Sequence, residues 1–339
     1  MSDTIRRSRP LALIRRNRWG RRQGGRDSGV VGQAPQTIRS IEYGGTRWVD
    51  VRNPNGEQIE ELGRDFNLHP LTIDDLKSRI QRPKIDIYDD YLFVVLKFPI
   101  HDKERRMNEA AEIDFVVGRD LFMTFHDGRL RPLVTMIDSI FESDEISIEL
   151  LRATPGHLLY EVVDRLVDYL VPIVPRLEER VAEIEQMIFD ERSLHTVQEI
   201  SIVQRDLISL RRILRPQLTL LHRLEVTTFP FLDEELDEYW GDVSDHLGRT
   251  LDSLEELSEI LTALSDTHDK LTSQRMNDII KTLTVFSVIV LPLTAIGGFF
   301  GMNVPFPYQD EWYSTVIILA LMIVLSLGML QYFRMKHWL

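Results

Sequence analysis

The sequence predicts an α+β membrane protein: a mixed α/β domain, then long amphipathic helices, then two C-terminal membrane spans. Three observations carry that prediction. Two uncharged runs stand near the C-terminus, Thr282–Gln309 and Trp312–Phe333. Between residues 155 and 226, apolar side chains recur at three- and four-residue steps, the period of a helix with one buried face. Ahead of them, short runs rich in β-branched and aromatic residues are separated by turn signals, as strands are. The mean hydropathy of −0.14 resembles that of an ordinary soluble protein, but the apolar residues are unevenly spread.

A helix crosses the hydrocarbon core with roughly 20 apolar residues, so runs of 28 and 22 positions each supply one span. The loop Asn303–Glu311 carries Asp310 and Glu311 and no Lys or Arg, whereas the tail after the second span carries Arg334 and Lys336. The excess of bases on the tail predicts that it is cytoplasmic, and two spans then put the N-terminal part on the same side. The expected location is the cell's inner membrane with both termini inside. No apolar core of a signal peptide is expected at the N-terminus.

In chain order, residues 1–35 read as a basic disordered arm, with nine Arg against one acid up to Arg26. An Arg-rich, acid-poor leader suits either a transit peptide or a tether to anionic lipid. Residues 36–150 read as the α/β domain. Within it Asp90–Phe98 is a buried strand, Glu112–Val117 and Leu121–Phe125 form a hairpin, and Asn67–Asp75 opens a helix with Pro70 in its first turn. Residues 151–231 read as two helices joined near Asp190–Ser193, the first kinked by Pro172 and Pro175. Residues 232–302 read as one helix running into the first span, about 90 Å at 1.5 Å per residue for some 60 residues. From Asp233 to Lys281 it holds 14 acids and 4 bases, with Leu247, Leu251, Leu254, Leu257, Leu261, Leu264 and Leu271 at coiled-coil-like steps. Those leucines need neighbours, most simply other copies of the chain. An external loop, 303–311, the second span, 312–333, and a cytoplasmic tail, 334–339, complete the chain.

Composition excludes several functions. Lys plus Arg number 40 and Asp plus Glu 53 in 339 residues, a net charge of −13, which disfavours a nucleic-acid partner. The absence of cysteine removes disulfides, thiolate metal sites and a cysteine nucleophile. The nine His are scattered, and no P-loop or dinucleotide fingerprint occurs, so no enzyme is expected.

Within the first span, polar and small residues share a face. Asn277, Ile280, Thr284, Ser287, Leu291, Thr294 and Gly298 are spaced 3, 4, 3, 4, 3 and 4 apart. Such a stripe either lines a pore or packs membrane helices together. Two spans per chain enclose nothing, so a pore would take several copies. The span ends Gly297-Gly-Phe-Phe-Gly-Met-Asn303, followed by a short acidic loop, one more span and a basic tail.

That joint pattern resembles the CorA family of divalent-cation channels, over roughly residues 40 to 339. His69-Pro-Leu with Asp74-Asp75, Gln81-Arg-Pro-Lys84, Asp242-Val-Ser-Asp-His246, Pro292-Leu-Thr294, Gly301-Met-Asn303 and the closing Trp338-Leu339 carry the resemblance. It implies a homopentamer in the lipid bilayer, with a cytoplasmic funnel and one pore lined by five first-span helices. It also implies transport of Mg²⁺, Co²⁺ or Ni²⁺. Gly301, Met302 and Asn303 would form the selectivity filter, and Leu283 joins the stripe residues as pore-lining. Asp75 and Asp242, with Asp74, would hold regulatory Mg²⁺. Asp310 and Glu311 would concentrate cations at the mouth. Phe300 stands where members commonly have Tyr. Two rival readings remain: a Zn²⁺ transporter of the ZntB-like branch, which shares the fold, and a non-conducting Mg²⁺ sensor or scaffold.

Overall fold

The computed structural model describes residues 6–8, 37–78, 81–143, 153–189, 193–302, 312–336 and 338. The chain divides into two compact units, Met1–Thr262 and Ala263–Leu339.

The first unit is organised by a seven-stranded sheet. Its strands are β1 (Arg6–Ser8), β2 (Thr37–Tyr43), β3 (Thr46–Arg52), β4 (Lys84–Ile87), β5 (Tyr91–Asp102), β6 (Met107–Gly118) and β7 (Leu121–His126). They lie in the order β1-β2-β3-β7-β6-β5-β4, antiparallel except for β3 against β7. The predicted hairpin is β6–β7, in register from Ile113↔His126 to Val117↔Phe122. β5 carries the run Leu92-Phe-Val-Val-Leu96, buried throughout, because both faces of the sheet are covered. On one face Val49, Val51, Phe93, Val95, Met123 and Phe125 pack with Ile59, Leu62 and Leu76 of α1 (Gly56–Asp65) and α2 (Pro70–Ser78). A reciprocal cap starts α1: Asn55 Oδ1 accepts from the Gln58 N–H at 2.8 Å, and Gln58 Oε1 accepts from the Asn55 N–H at 2.9 Å. The predicted helix opening proves to be α2, with Pro70 as its first residue.

The opposite face packs under α3 (Arg131–Glu142), α4 (Pro155–Asp168) and α6 (Ser193–Val226). Between β3, β7 and α3 it holds a polar network. Asp50, fully buried, accepts from Arg39 Nη2 at 2.9 Å and from Thr124 Oγ1 at 3.1 Å. His126 Nδ1 accepts the Gly128 N–H at 3.1 Å, so its Nε2 carries the proton that meets Asp50 Oδ1 at 3.0 Å. Burial pushes the Asp50 carboxyl up, but the hydrogen bond from His126, then the hydrogen bond and charge of Arg39, outweigh it and hold the group below the usual carboxylate range.

Three expectations need correcting. Arg6–Ser8, inside the arm expected to be disordered, pairs antiparallel with β2 from Arg6↔Glu42 to Ser8↔Ser40; an edge strand recruits a partner through backbone groups alone, which composition does not register. The first of the two expected helices is broken rather than kinked, giving α4 and then α5 (Ile173–Phe189). Pro172 offers no N–H and disfavours a helical residue before it, and the chain turns through Leu170 N–H to Val167 O at 2.8 Å and Ile173 N–H to Leu170 O at 2.9 Å. Lastly, the leucines of α7 (Asp237–Phe300) do not all await other copies. Leu247, Leu251, Leu254, Leu257 and Leu261 are buried within the chain, where α7 meets α6: Arg211 and Arg215 donate to Glu255 at 3.2 and 3.1 Å. Leu264 and Leu271 are only partly covered.

The second unit comprises the rest of α7 from Ala263 and α8 (Trp312–Met335). Both helices are long and apolar enough to cross a membrane, and little of either apolar stretch is buried.

Candidate functional site

The stripe lies along the membrane stretch of α7. Thr284, Ser287 and Thr294 donate their hydroxyls to the carbonyls of Ile280, Leu283 and Val290, at 2.7, 2.8 and 2.9 Å. This back-bonding to the residue four earlier is how a hydroxyl sits in an apolar helix without an unmade hydrogen bond. Asn277, Ile280, Leu283, Ser287, Leu291, Thr294 and Gly298 are exposed, and Thr284 is half-buried. The residue that α7 does bury here is Val285, and Val288 shares an apolar groove with Val324, Gly328 and Met329 of α8. Packing against the chain's own second span therefore does not use the stripe.

α7 ends at Phe300 in a turn, with the Gly301 N–H on Gly297 O at 3.0 Å and the Met302 N–H on Phe299 O at 3.3 Å. A Cβ on Gly301 would stand 2.8 Å from the Gly297 carbonyl oxygen, so backbone proximity demands glycine at the start of the Gly-Met-Asn motif. Met302 is exposed. Asn303, Asp310 and Glu311 lie outside the described residues.

The carboxylates expected to regulate lie in the first unit. Lys84 donates to Asp75 at 2.5 Å and pairs with Asp86 at 2.7 Å. Burial pulls the Lys84 ammonium down, and those two hydrogen bonds more than offset it, so Asp75 is already neutralised by a cation of its own chain. Asp74 is exposed. Asp242 is 64% exposed, with His246 Nε2 at 3.7 Å. Among the described residues no hydrogen bond or ion pair joins Asp74 or Asp75 to Asp242 within one chain. Nor does any group of three or more His, Asp or Glu there form a metal-ligand set.

Instead, Asp242 faces an acidic edge of α4 that sequence reasoning missed. The Asp164 carboxyl is raised by burial first, then by Asp168, Glu161 and Asp242. Burial, then Asp164, Glu161 and Asp242, push the neighbouring Tyr160 up to about 12. Its ring meets Tyr239 and Trp240 edge-on at 5.5 and 5.7 Å, which ties α4 to the start of α7. The signal was present: Glu161, Asp164 and Asp168 recur at steps of three and four opposite the apolar face of α4.

Comparison with known proteins decides the family. A sequence profile described as CorA-like Mg²⁺ transporter protein matches residues 43–335. The chain belongs to that family. Among the CorA-like relatives, YfjQ of Bacillus subtilis, assigned as a metal ion transporter, is 34% identical over 86% of this chain and 89% of its own. The cobalt/magnesium transport protein CorA of Thermotoga maritima is 26% identical over 86% of this chain and 83% of its own. The zinc transport protein ZntB of Yersinia enterocolitica is 22% identical over 92% and 93%. The complete structure of the CorA magnesium transporter from Methanocaldococcus jannaschii superposes with a TM-score of 0.76 at 19% identity, covering 87% of this chain and 92% of that one. At that identity the superposition speaks for the fold: the sheet domain, the long helix and two C-terminal apolar helices follow the CorA architecture.

Proposed function

We propose that five copies of this chain form a channel in the cell's inner membrane that admits Mg²⁺, with Co²⁺ and Ni²⁺ as further substrates. One observation carries the reading. The polar stripe from Asn277 to Gly298 is left unused by the chain's own second span and leads directly to Gly301-Met-Asn303. A ring of copies would turn five such stripes toward a shared axis.

Mg²⁺ dehydrates reluctantly and demands octahedral geometry near 2.1 Å. A pore avoids stripping its waters by binding the hydrated ion. Five Asn303 amide oxygens would accept from those waters without a formal charge to trap the ion. The compact turn at Gly301 would bring the ring to the axis, with Met302 packed behind it, and Thr294 would offer a second polar ring. Ile280, Leu283 and Leu291 would narrow the path to an apolar constriction that closes by dewetting. Asp310 and Glu311 would raise the local cation concentration at the mouth. The membrane potential favours influx of a divalent ion by about 4.6 kcal/mol at 100 mV, two charges at roughly 2.3 each.

Internal Mg²⁺ would regulate by mass action, occupying sites that exist only in the closed state. Asp242, exposed and facing the acids of α4, is the better-placed ligand; Asp75 and Asp74 would contribute from a neighbouring copy once Mg²⁺ displaces Lys84. Both termini would then be cytoplasmic. No catalytic chemistry is assigned to the chain.

A second reading is favoured by the ZntB match: Zn²⁺ transport on the same fold. The test is ion flux into liposomes holding purified protein under an inside-negative potential, with Mg²⁺, Co²⁺ and Zn²⁺ compared beside Asn303→Ala. The expected result is potential-driven Mg²⁺ uptake that the variant loses. Zn²⁺ uptake that follows a proton gradient and ignores the potential would replace the Mg²⁺ reading. No flux of any ion from a folded assembly in low internal Mg²⁺ would leave a sensor or scaffold.

A further inference from the structure

The first unit contains a cavity of about 270 Å³ that the ion pathway does not use. The end of the β5–β6 hairpin, the start of α5 and Asp206 of α6 border it, and three arginines, Arg106, Arg176 and Arg180, are among the residues that line it. In a chain of net charge −13 such a cluster requires an account.

Its members are unequally satisfied. Arg106, held in the left-handed region at φ 52°, donates to both oxygens of Glu199 at 2.7 and 2.8 Å. Arg176 has no hydrogen-bond or ion-pair partner among the described residues. Arg180 Nη2 is buried and has no hydrogen-bond partner there either. Its Nη1 stands 3.7 Å from Asp206 Oδ2, beyond hydrogen-bond reach. Asp206 is engaged elsewhere, since its Oδ1 accepts from both the Asn108 N–H and Nδ2 at 2.6 and 2.9 Å. Asn108 is fixed in turn by Ser209 Oγ on its carbonyl at 2.6 Å. Among the described residues, the buried Nη2 of Arg180 in this wall therefore lacks an acceptor.

A buried guanidinium nitrogen without an acceptor is costly, and native structures rarely leave one. Arg39 and Arg52 also carry an unpaired Nε, but both keep terminal nitrogens on carboxylates at 2.8 to 3.0 Å; Arg180 has only the looser 3.7 Å ion pair with Asp206. The missing group is an anion with several acceptor oxygens, which two guanidiniums grip well when it is a phosphoryl group. The cavity is roomier than a single tetrahedral ion requires and lies just under the roughly 300–1,000 Å³ usual for small-molecule pockets. Tyr169, Ile173 and Leu177 give it an apolar side. We propose that this cavity binds a phosphate-bearing small molecule of about mononucleotide size, its phosphoryl group held by Arg176 and Arg180. Such a ligand would pin α5 to the β5–β6 turn.

The test is calorimetric titration of the full-length protein in detergent, in Mg²⁺-free buffer so that cation–nucleotide complexes do not form. The probes are AMP, inorganic phosphate and adenosine. The expected result is saturable AMP binding, competed by phosphate and not by adenosine, and weakened at least tenfold by Arg180→Gln and by Arg176→Gln. Arg215→Gln, an exposed change elsewhere on α6, should leave it intact. AMP at least tenfold tighter than phosphate assigns the cavity to an organic phosphate, whereas equal affinities assign it to the free ion. Arg176 is exposed and supports no contact, so its replacement keeps the test valid even where Arg180→Gln unfolds. Absence of saturable binding by both phosphate-bearing probes, or AMP binding that survives Arg176→Gln unchanged, would overturn the proposal.

Discussion

The sheet of the first unit and the helices of the second treat the same kinds of side chain in opposite ways. Trp48, Phe93 and Phe115 are 0% exposed in the sheet's core, whereas Leu283, Leu291 and Val324 are 63%, 71% and 68% exposed. The first region satisfies its apolar surface within one chain. The second leaves its surface uncovered by its own chain, as a membrane-spanning helix can, because lipid tails are as apolar as leucine and provide no drive to bury it internally. A residue's chemistry is thus read differently on either side of Thr262. In the sheet, an apolar residue is there for stability; along the spans, its position around the helix decides its role.

Paired truncations sharpen that contrast most. Phe115→Ala, which empties a volume packed beside Phe122 at 5.9 Å between centroids, should cost about 3–5 kcal/mol of sheet-domain stability. Leu283→Ala should move the same denaturation curve by less than roughly 0.5 kcal/mol and show itself instead in ion flux. Matching losses in the two variants would erase the distinction between the regions.

Next in size is Asp50→Asn. Removing one member of a buried charged network leaves Arg39 and His126 facing a neutral amide, at a cost of about 3 kcal/mol. The wild-type network also predicts a direction with pH. Asp50's folded pKa lies below its ordinary 3.8, so its contribution is complete above that value and disappears as pH falls through the folded pKa. Urea denaturation at pH 7 and pH 3 should show a larger loss in the wild type than in Asp50→Asn. An equal loss in both proteins would remove Asp50 from the acid response.

A smaller effect probes the helix end. Gly301→Ala forces a Cβ against the Gly297 carbonyl oxygen, so the turn that opens the proposed filter must give way. Flux should fall roughly tenfold or more, about 1.4 kcal/mol in the barrier, with the melting of the sheet unchanged. Wild-type flux in that variant would show that the turn's geometry does not set the filter.

What was legible in the sequence follows the same division. The strands of the buried sheet and the helix periods were readable because a face that must be buried writes its period into the chain: Val162, Leu166, Leu177 and Val181 are all buried where the three- and four-residue steps put them. The stripe of Asn277, Ser287 and Thr294 is visible in the sequence as spacing, and the structure leaves all three side chains exposed. Three features escaped the sequence reading. β1 joins the sheet through backbone groups, which side-chain patterning cannot report. Asp75 looks like a free carboxylate until Lys84 is folded beside it. The Asp164 edge meets Asp242 only through tertiary packing, and an acidic helix face ordinarily means a solvated one.

That acidic edge supplies the smallest and most discriminating effect. Asp164 is the opposite of Asp50: burial and like charges raise its folded pKa above the ordinary 3.8, so its ionisation opposes folding at neutral pH. The sign follows from proton binding: between the two pKa values the folded state holds more protons, so stability rises as pH falls from above the folded value toward 3.8. Asp164→Asn should therefore stabilise the protein at pH 7 in Mg²⁺-free buffer, by only about 0.5 kcal/mol because the surrounding acids are partly solvated. Mg²⁺ held at this edge, as proposed, would relieve the same repulsion, so the variant should also shrink any rise in melting temperature that Mg²⁺ gives the wild type. Asp242→Asn should do likewise. A variant that melts lower than wild type without Mg²⁺ would mean that Asp164 makes a favourable contact stronger than the repulsion. An undiminished Mg²⁺ response in both variants would take the regulatory ion away from α4 and α7, and leave Asp74 and Asp75 to hold it.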